Sequence, residues 1–362
     1  MSIEPQLPPI TCPSSLVASC PPLLGFTPDQ SLVALIRGVP RRIVPVVMRV
    51  DLPVPGEETD WARSVSASVA GTRGAAVDMV LWCACGPDTP RDGLPTGPAA
   101  RALLADMHRV GIEVTEMVTT NGRQWWSHMC QDPNCCPSGP SELDPVVVTA
   151  VRAEYAYSGR APLPSRTVLA DRIRRDESRS RAVRAVIAGW PSPPDRETWR
   201  DGEVEWVARR LRVGHVPGAP GPLPPGAAGR LHSALADVAV RDTVARRLLV
   251  DAHECRACDE GRLEVLCDAL RAAPAGFGAP AATLLGLLAW TGGEGALGSV
   301  AIERALQDEP GYRLAELARK MMSAGLDPDG LRESLATLTE QECRLAASLV
   351  ADPQGGAVGD WP

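Results

Sequence analysis

Three cysteines in one short segment have the side chains best suited to chemistry in this sequence. Cys130, Cys135 and Cys136 lie among prolines, an asparagine and a glycine, a composition typical of a tight loop. Thiolates bind zinc, and a structural zinc site needs four nitrogen or sulfur ligands in a tetrahedral arrangement. The C-x4-C-C spacing supplies three ligands, so His128 or a distant residue has to complete the set. Zinc is therefore one predicted cofactor of this segment.

The same segment, which we call the Cys130 loop (residues 130–136), has two other interpretations. In the first, nearby Arg123 activates a thiolate, and the loop is a redox pair or the nucleophile of an enzyme. In the second, the cysteines are small buried hydrophobic residues that close the loop onto a sheet. No second cysteine knuckle completes a four-cysteine zinc site, so all three interpretations stay open.

Arg49 and Asp51 are the best polar pair. They lie two residues apart at the end of a predicted strand, where alternate side chains share one face. A planar guanidinium can clamp a carboxylate or phosphate while the aspartate orients it or acts as a base. The alternative is an ion pair that only closes the strand.

Two tryptophans follow on a later predicted strand. Trp125 and Trp126 point to opposite faces, so one enters the core while the other meets solvent, the helices or a ligand; packing between domains is the alternative. The predicted ligand-binding residues are Arg49, Asp51, Arg123, Trp126 and Ser127, and the predicted metal ligands are Cys130, Cys135, Cys136 and His128.

Two further groups of cysteines have ligand-like spacing. Cys83 and Cys85 share one side of a strand at its C-terminal end, where open α/β sheets bind ligands; packing inside a buried strand is the alternative. His253, Cys255 and Cys258 are residue types that bind zinc. Their segment lacks the glycine or proline of a zinc knuckle, and a three-residue spacing on a helix already places both cysteines on one side.

The elements that position these residues alternate between strands and helices in the first third of the chain. The pattern predicts strands at 31–37, 43–52, 75–85, 112–119 and 123–128, and helices at 60–72 and 97–110. Asn121-Gly122 is the strongest short hairpin signal in the chain. This order predicts an α/β domain with a mixed sheet over residues 1–140, with the Cys130 loop at its end.

The rest of the chain is predicted to be all-helical. Asp144 followed by Pro145 is a helix N-cap with proline at the first helical position. The segment from Leu285 to Leu317 resembles one tetratricopeptide helical hairpin, without the further repeats that a solenoid needs. The predicted parts are a helical extension at 141–213, a Pro- and Gly-rich linker at 214–229, a helical bundle at 230–351 and a disordered tail at 352–362.

Composition argues against several classes of protein. The 362 residues carry a net charge of -7, which argues against a protein that coats nucleic acid or an anionic membrane. One basic helix at 166–184 has seven arginines that could grip phosphates or an acidic partner; a solvated, ion-paired helix face is the alternative. Neither a P-loop nor a dinucleotide-binding glycine motif occurs in the sequence.

The expected location follows from the same composition. No apolar run approaches the roughly 18 residues of a membrane helix. Prolines interrupt the N-terminal segment and no basic region precedes an apolar one, which argues against a signal peptide. A cytoplasmic location is therefore expected, and the eleven cysteines are expected to be thiols rather than disulfides.

Several short motifs occur in a fixed order along the chain. They are 22–33 (PLLGFTPDQSLV), Arg49 with 51–53 (DLP), 125–127 (WWS) with Cys130, Cys135, Cys136 and Pro137, 288–297 (LAWTGGEGAL), 305–306 (AL) and 310–312 (PGY). In these motifs the chain resembles, over almost its whole length, an actinobacterial family of domains of unknown function (DUF4192). The resemblance implies no activity, because the family has no assigned biochemical function.

Three functional hypotheses follow from these observations. The first is a soluble protein that binds a small ligand or a partner at the junction of the α/β and helical parts, around the Cys130 loop. The second is an enzyme that uses a thiolate or a bound zinc ion at that loop. The third is a scaffold whose helical half recruits another protein.

Overall fold

The computed structural model describes residues 8–39, 46–130, 132, 136, 139–190, 195–212, 222–251 and 256–344. The chain divides into two compact units. The first unit comprises Met1–Val168 with Ser323–Leu326, and the second comprises Leu169–Met322 with Asp327–Pro362. Within the described residues, no helix has both the length and the apolar character needed to cross a membrane.

A mixed six-stranded sheet forms the centre of the first unit. Its strands are β1 (Ser31–Arg37), β2 (Val46–Asp51), β3 (Ala76–Trp82), β4 (Glu113–Thr120), β5 (Gln124–Ser127) and β6 (Ser141–Glu142). Their spatial order is β2-β1-β3-β4-β5-β6; β3 and β4 run parallel, and the other neighbouring pairs of this sheet are antiparallel. The predicted α/β part with a mixed sheet is therefore confirmed.

Helices pack on this sheet within the first unit. They are α1 (Pro13–Leu24), α2 (Glu58–Gly71) and α3 (Gly97–Val110), whereas α4 (Pro145–Tyr157) packs on α1. α3 joins the two parallel strands, because a parallel pair needs a crossover connection. α1 has no counterpart among the predicted helices, since Pro21 and Pro22 near its end are residues that usually break a helix.

The two faces of the sheet carry different sets of side chains. The strand register pairs Leu81 with Thr119 and Thr119 with Trp126, so these three side chains share one face. α2 and α3 pack on this face and form an apolar core with it. α1 packs on the opposite face, where the register places Arg49 and Asp51. We call these the α3 face and the α1 face.

The rest of the chain is mostly helical, as predicted. Its helices are α5 (Arg166–Asp171), α6 (Glu177–Ala188), α7 (Arg196–Arg212), α8 (Pro225–Ala236), α9 (Val238–Arg246), α10 (Arg256–Ala272), α11 (Ala279–Thr291), α12 (Gly295–Asp308), α13 (Arg313–Ser323) and α14 (Pro328–Ala336). α11 and α12 form a tightly packed helical hairpin. A Cβ atom on Gly286 would lie 2.6 Å from Cδ1 of Ile302, so this close approach requires glycine.

Candidate functional site

The carboxyl ends of the parallel strands β3 and β4 bring several segments of the chain together. In open α/β sheets this is the edge at which ligands bind. β3 ends at Trp82, and α3 begins at Gly97. We call residues 83–96, which connect them, the β3–α3 loop. The backbone N–H of Cys83 donates to the carbonyl oxygen of Thr120 (3.0 Å), which holds the start of this loop against the end of β4.

A chain of side-chain hydrogen bonds crosses this edge on the α3 face. The hydroxyl oxygens of Thr96 and Thr119 are 2.7 Å apart, and Oγ1 of Thr119 lies 2.8 Å from Nε2 of His128. The side chain of Thr96 also acts on the thiol of Cys83 and lowers its pKa. Both threonines are buried. Their hydroxyl groups therefore need these partners, because a buried polar group without a partner is costly.

His128 is uncharged at neutral pH. Burial, followed by the positive charges of Arg91 and Arg101, lowers the pKa of its imidazole to about 4. A neutral imidazole has one N–H donor and one acceptor nitrogen, so it can hydrogen-bond Thr119 and a second group at the same time. At neutral pH this side chain is suited to hydrogen bonding rather than to proton transfer.

The β3–α3 loop is fixed to β5 and to the Cys130 loop. Nε1 of Trp126 donates to the carbonyl oxygen of Thr89 (2.9 Å). The Arg91 guanidinium donates to the carbonyl oxygens of Cys130 and Cys136, at 2.8 Å each. Hydrogen bonds from a charged donor are stronger than neutral ones. Arg91 therefore holds the two ends of the Cys130 loop beside the β3–α3 loop.

Positive charge collects where α3 begins. The first turn of a helix is the positive end of its dipole. In α3 the N–H groups of Gly97 and Ala100 donate to the carbonyl oxygens of Leu94 and Thr96 (2.9 Å each), and Pro98 has no N–H. A Cβ atom on Gly97 would lie 3.3 Å from Nη1 of Arg101, so this guanidinium lies beside the first turn of α3. Arg91 and Arg101 both act on the nearby imidazole of His128. The edge thus combines two guanidinium groups, a helix N-terminus and two hydroxyl groups.

The Cys130 loop is described only in part. Cys130 is half-buried and Cys136 is buried, while Cys135 lies outside the described residues. Nε2 of His128 is directed at Thr119. In the part of the chain that the structure describes, no three His, Cys, Asp or Glu side chains form a group that could hold a metal ion. The zinc site stays a prediction that depends on Cys135.

The structure separates the predicted ligand-binding residues. Arg49 and Asp51 form an ion pair on the α1 face, with 2.5 Å between Nη2 and Oδ1. Trp126 lies on the α3 face, where its indole is buried. These three side chains therefore do not line one common site.

Arg123 and Ser127 lie at opposite ends of β5. Arg123 is exposed in the turn between β4 and β5. Ser127 is buried, and its hydroxyl oxygen accepts hydrogen bonds from the backbone N–H groups of Met129 (3.1 Å) and Cys130 (3.0 Å). Ser127 therefore stabilises the start of the Cys130 loop.

Sequence reasoning missed four residues of this edge: Arg91, Thr96, Arg101 and Thr119. One available signal was the position of Thr96, which is the N-cap of α3 just before Gly97-Pro98. Proline in the first turn marks the start of a helix, so the pattern locates the loop that ends there. The other three residues have no distinctive spacing.

Of the two remaining cysteine groups, the structure describes the side chains of one. Cys83 and Cys85, at the end of β3, have their thiol sulfurs 3.1 Å apart. His253 and Cys255, like the side chain of Cys258, lie outside the described residues.

The sequence predicts one basic helix at 166–184, but the structure has two helices in this stretch, α5 and α6. Asp176 interrupts it, because its carboxylate caps α6 by accepting the backbone N–H groups of Ser178 and Arg179. The guanidinium of Arg179 forms an ion pair with Asp268 inside the second unit (2.8 Å). This geometry favours ion pairing within the chain over a continuous basic surface.

The fold and the edge described above define an α/β unit with a mixed sheet, followed by helices. The family model for a domain of unknown function (DUF4192) matches residues 13–329 of the chain. The chain therefore belongs to this family, as its motifs predicted; an actinobacterial range for the family stays a prediction. No protein with a curated description and no solved structure matches the chain.

Proposed function

We propose that the first unit binds a small anionic ligand at the carboxyl ends of β3 and β4. The observation that carries this proposal is the position of two guanidinium groups at the edge that holds one hydrogen-bonded cluster: Arg101 lies beside the first turn of α3, and Arg91 donates to the carbonyls of the Cys130 loop. Guanidinium groups and helix N-termini both bind carboxylates and phosphates. We call this cluster, made of Thr96, Thr119 and His128, the Thr-His cluster.

Each member of the Thr-His cluster contributes hydrogen bonding and no charge. One of the two threonine hydroxyl protons is used in the Thr96–Thr119 hydrogen bond, so one hydroxyl can donate to a ligand oxygen when Nε2 of His128 donates to Thr119. Because the imidazole is neutral, the two arginines are the groups of this edge that compensate the negative charge of the ligand. These features support binding of an anion.

The thiols at this edge support binding more than catalysis. Burial raises the pKa of Cys83 to about 12, with the neighbouring Cys85 thiol acting in the same direction. A thiol with such a pKa stays protonated at neutral pH and is a weak nucleophile. An enzyme that uses a thiolate or zinc at the Cys130 loop stays an alternative, and so does a scaffold role for the helical half.

A cytoplasmic location is part of the same proposal. Cys20 and Cys267 are buried thiols, which accords with a reducing compartment. Binding of a small anion at an internal edge of the sheet needs neither a membrane nor a nucleic acid.

Thermal unfolding of the full chain tests the proposal, with inorganic phosphate or malonate as the probe and sodium chloride at equal ionic strength as the reference. A ligand that stabilises the native state by about 1 kcal/mol raises the melting temperature by about 2–4 °C. The variant Arg101→Met is expected to lose this rise.

The matched control is Arg109→Met, since Arg109 is an exposed residue at the far end of α3 and pairs with Asp106. This variant is expected to keep the rise. An equal response of both variants, or no response of the wild-type chain to either probe, would contradict the proposal.

A further inference from the structure

Cys83 and Cys85 place two thiols in direct contact at the end of β3. Their sulfur atoms are 3.1 Å apart. Cys83 is buried, with 6% of its surface exposed, and Cys85 is half-buried. A sulfur–sulfur bond is about 2.0 Å long, so the two sulfurs have to approach by about 1 Å to form one.

The local backbone explains why the thiols meet. Alternate side chains of an extended chain point to the same side, and a single residue separates the two cysteines. Regular strand geometry ends at Trp82, so Cys83 and Cys85 are outside the regular ladder of the sheet. A small change of side-chain and backbone torsions can therefore close the remaining distance.

We propose that Cys83 and Cys85 form a reversible intramolecular disulfide by exchange with a low-molecular-weight disulfide. This site is distinct from the Cys130 loop. It does not depend on the proposed binding of an anion, because it rests on the contact between the two sulfurs alone.

The exchange takes place in two steps. Cys85 is the more accessible thiol and attacks first: as a thiolate it forms a bond to one sulfur of the small disulfide, whose S–S bond breaks and releases one thiolate. Cys83 then loses its proton and attacks the sulfur of Cys85, and the second small thiolate leaves. Both leaving groups take up the protons from the two cysteines. The two protein thiols are oxidised, and the small disulfide is reduced to two thiols.

The surroundings of Cys83 make the second step depend on pH. Its raised pKa leaves little thiolate at neutral pH, whereas the side chain of Thr96 acts in the opposite direction and favours the thiolate. The closing step is therefore expected to accelerate as pH rises from 7 to 9.

Peptide mapping of the full chain tests the proposal directly. The chain is equilibrated in buffers of oxidised and reduced glutathione, quenched with acid, alkylated under denaturing conditions and digested with trypsin. The peptide 74–91 contains Cys83 and Cys85 as its two cysteines. In excess oxidised glutathione it is expected to lose two hydrogen masses, and doubly alkylated peptide is expected to fall at least about tenfold.

Three comparisons make the result decisive. Peptide 263–271 contains the buried Cys267 as its one cysteine and is expected to be alkylated throughout. In Cys83→Ser, Cys85 is expected to carry one glutathione instead of a disulfide. The same equilibration in urea is expected to give an oxidation constant at least about tenfold lower, because the unfolded chain does not hold the sulfurs together.

Three outcomes would overturn the proposal. One is full alkylation of both thiols in excess oxidised glutathione. Another is a stable glutathione adduct on the wild-type peptide. The third is an oxidation constant that is equal in the folded and unfolded chains, because the folded structure would then contribute nothing to the bond.

Discussion

Nε2 of His128 lies 2.8 Å from the hydroxyl oxygen of Thr119, and the residue is half-buried. His128 directly follows β5, and its ring hydrogen-bonds to β4. Its backbone N–H also donates to β4, at the carbonyl oxygen of Met117 (2.9 Å). An imidazole in this position makes the stability of the first unit depend on pH.

The pH dependence has a defined sign. The unfolded chain protonates this histidine near pH 6.5, and the folded chain does so only near pH 4. Between these values the unfolded state binds more protons, so the free energy of unfolding falls as pH falls. The shift corresponds to about 3 kcal/mol lost between pH 7 and pH 4.

Urea unfolding of the wild-type chain and of His128→Gln at pH 7 and pH 4 measures this effect. The amide introduced by this substitution keeps a hydrogen-bonding group opposite Thr119 but has no proton to gain. The wild type is therefore expected to lose about 3 kcal/mol more than the variant over this range. Equal losses in the two proteins would show that His128 is not the cause.

Trp126 is expected to stabilise the β3–α3 loop through its indole N–H. In Trp126→Phe the hydrogen bond to the Thr89 carbonyl is lost at a fully buried position, which should lower the free energy of unfolding by about 1–3 kcal/mol. Trp125→Phe is the control, because Trp125 is only half-buried on the opposite face. A larger loss in the control would contradict this account.

Arg91 is expected to protect the Cys136 thiol. Arg91→Met removes the charge-assisted hydrogen bonds to the carbonyls of Cys130 and Cys136. Each such bond contributes about 1.5–3 kcal/mol, so local opening should increase at least about tenfold. The rate of Cys136 alkylation, followed by mass spectrometry, measures it. An unchanged rate would show that other contacts hold the loop; Arg123→Met is the control, since Arg123 is exposed.

In the second unit, Arg179 is expected to stabilise the packing of α6 on α10. Its guanidinium donates to both carboxylate oxygens of Asp268, at 2.8 Å each. Arg179→Met leaves this buried carboxylate with fewer partners, and the free energy of unfolding should fall by about 2 kcal/mol. Arg181→Met, an exposed position on the same helix, should change it by less than about 0.5 kcal/mol. Similar effects of the two changes on urea unfolding would contradict the assignment.

Asp51 is expected to be dispensable for anion binding. It pairs with Arg49, but 78% of its side chain is exposed and it lies on the α1 face. Exposed ion pairs contribute about 0–1 kcal/mol. Asp51→Asn should therefore keep both the stability and the phosphate response of the wild-type chain. If this variant alone lost the phosphate response, the anion site would lie at the Arg49–Asp51 pair and not at the β3–β4 edge.

Local sequence patterns predicted the elements well, because they depend on residues close together in the chain. β1 is found at Ser31–Arg37 and α3 at Gly97–Val110, both as predicted. The turn at Asn121-Gly122 is also confirmed, and Gly122 has a φ of 85°, a conformation that favours glycine.

The candidate site depends on contacts between distant segments, which local patterns do not encode. Arg91 and Cys130 are 39 residues apart, and Thr96 and Thr119 are 23 residues apart. Strand alternation correctly places Arg49 on the same face as Asp51. Whether Trp126 shares that face depends on the register of the whole sheet, and a shift of one residue would reverse the answer.

The most direct test of anion binding at the β3–β4 edge is an NMR titration of the isotope-labelled full chain with inorganic phosphate at constant ionic strength. We expect a saturable shift of the Ala99 amide signal in the first turn of α3, because the N–H groups of Gly97 and Ala100 already donate to the carbonyl oxygens of Leu94 and Thr96. The comparison region is a groove of about 360 Å³ on α1 and α4, which is lined in part by Arg152 and Arg160. Saturable shifts confined to that groove, or none at the first turn of α3, would contradict the proposed site.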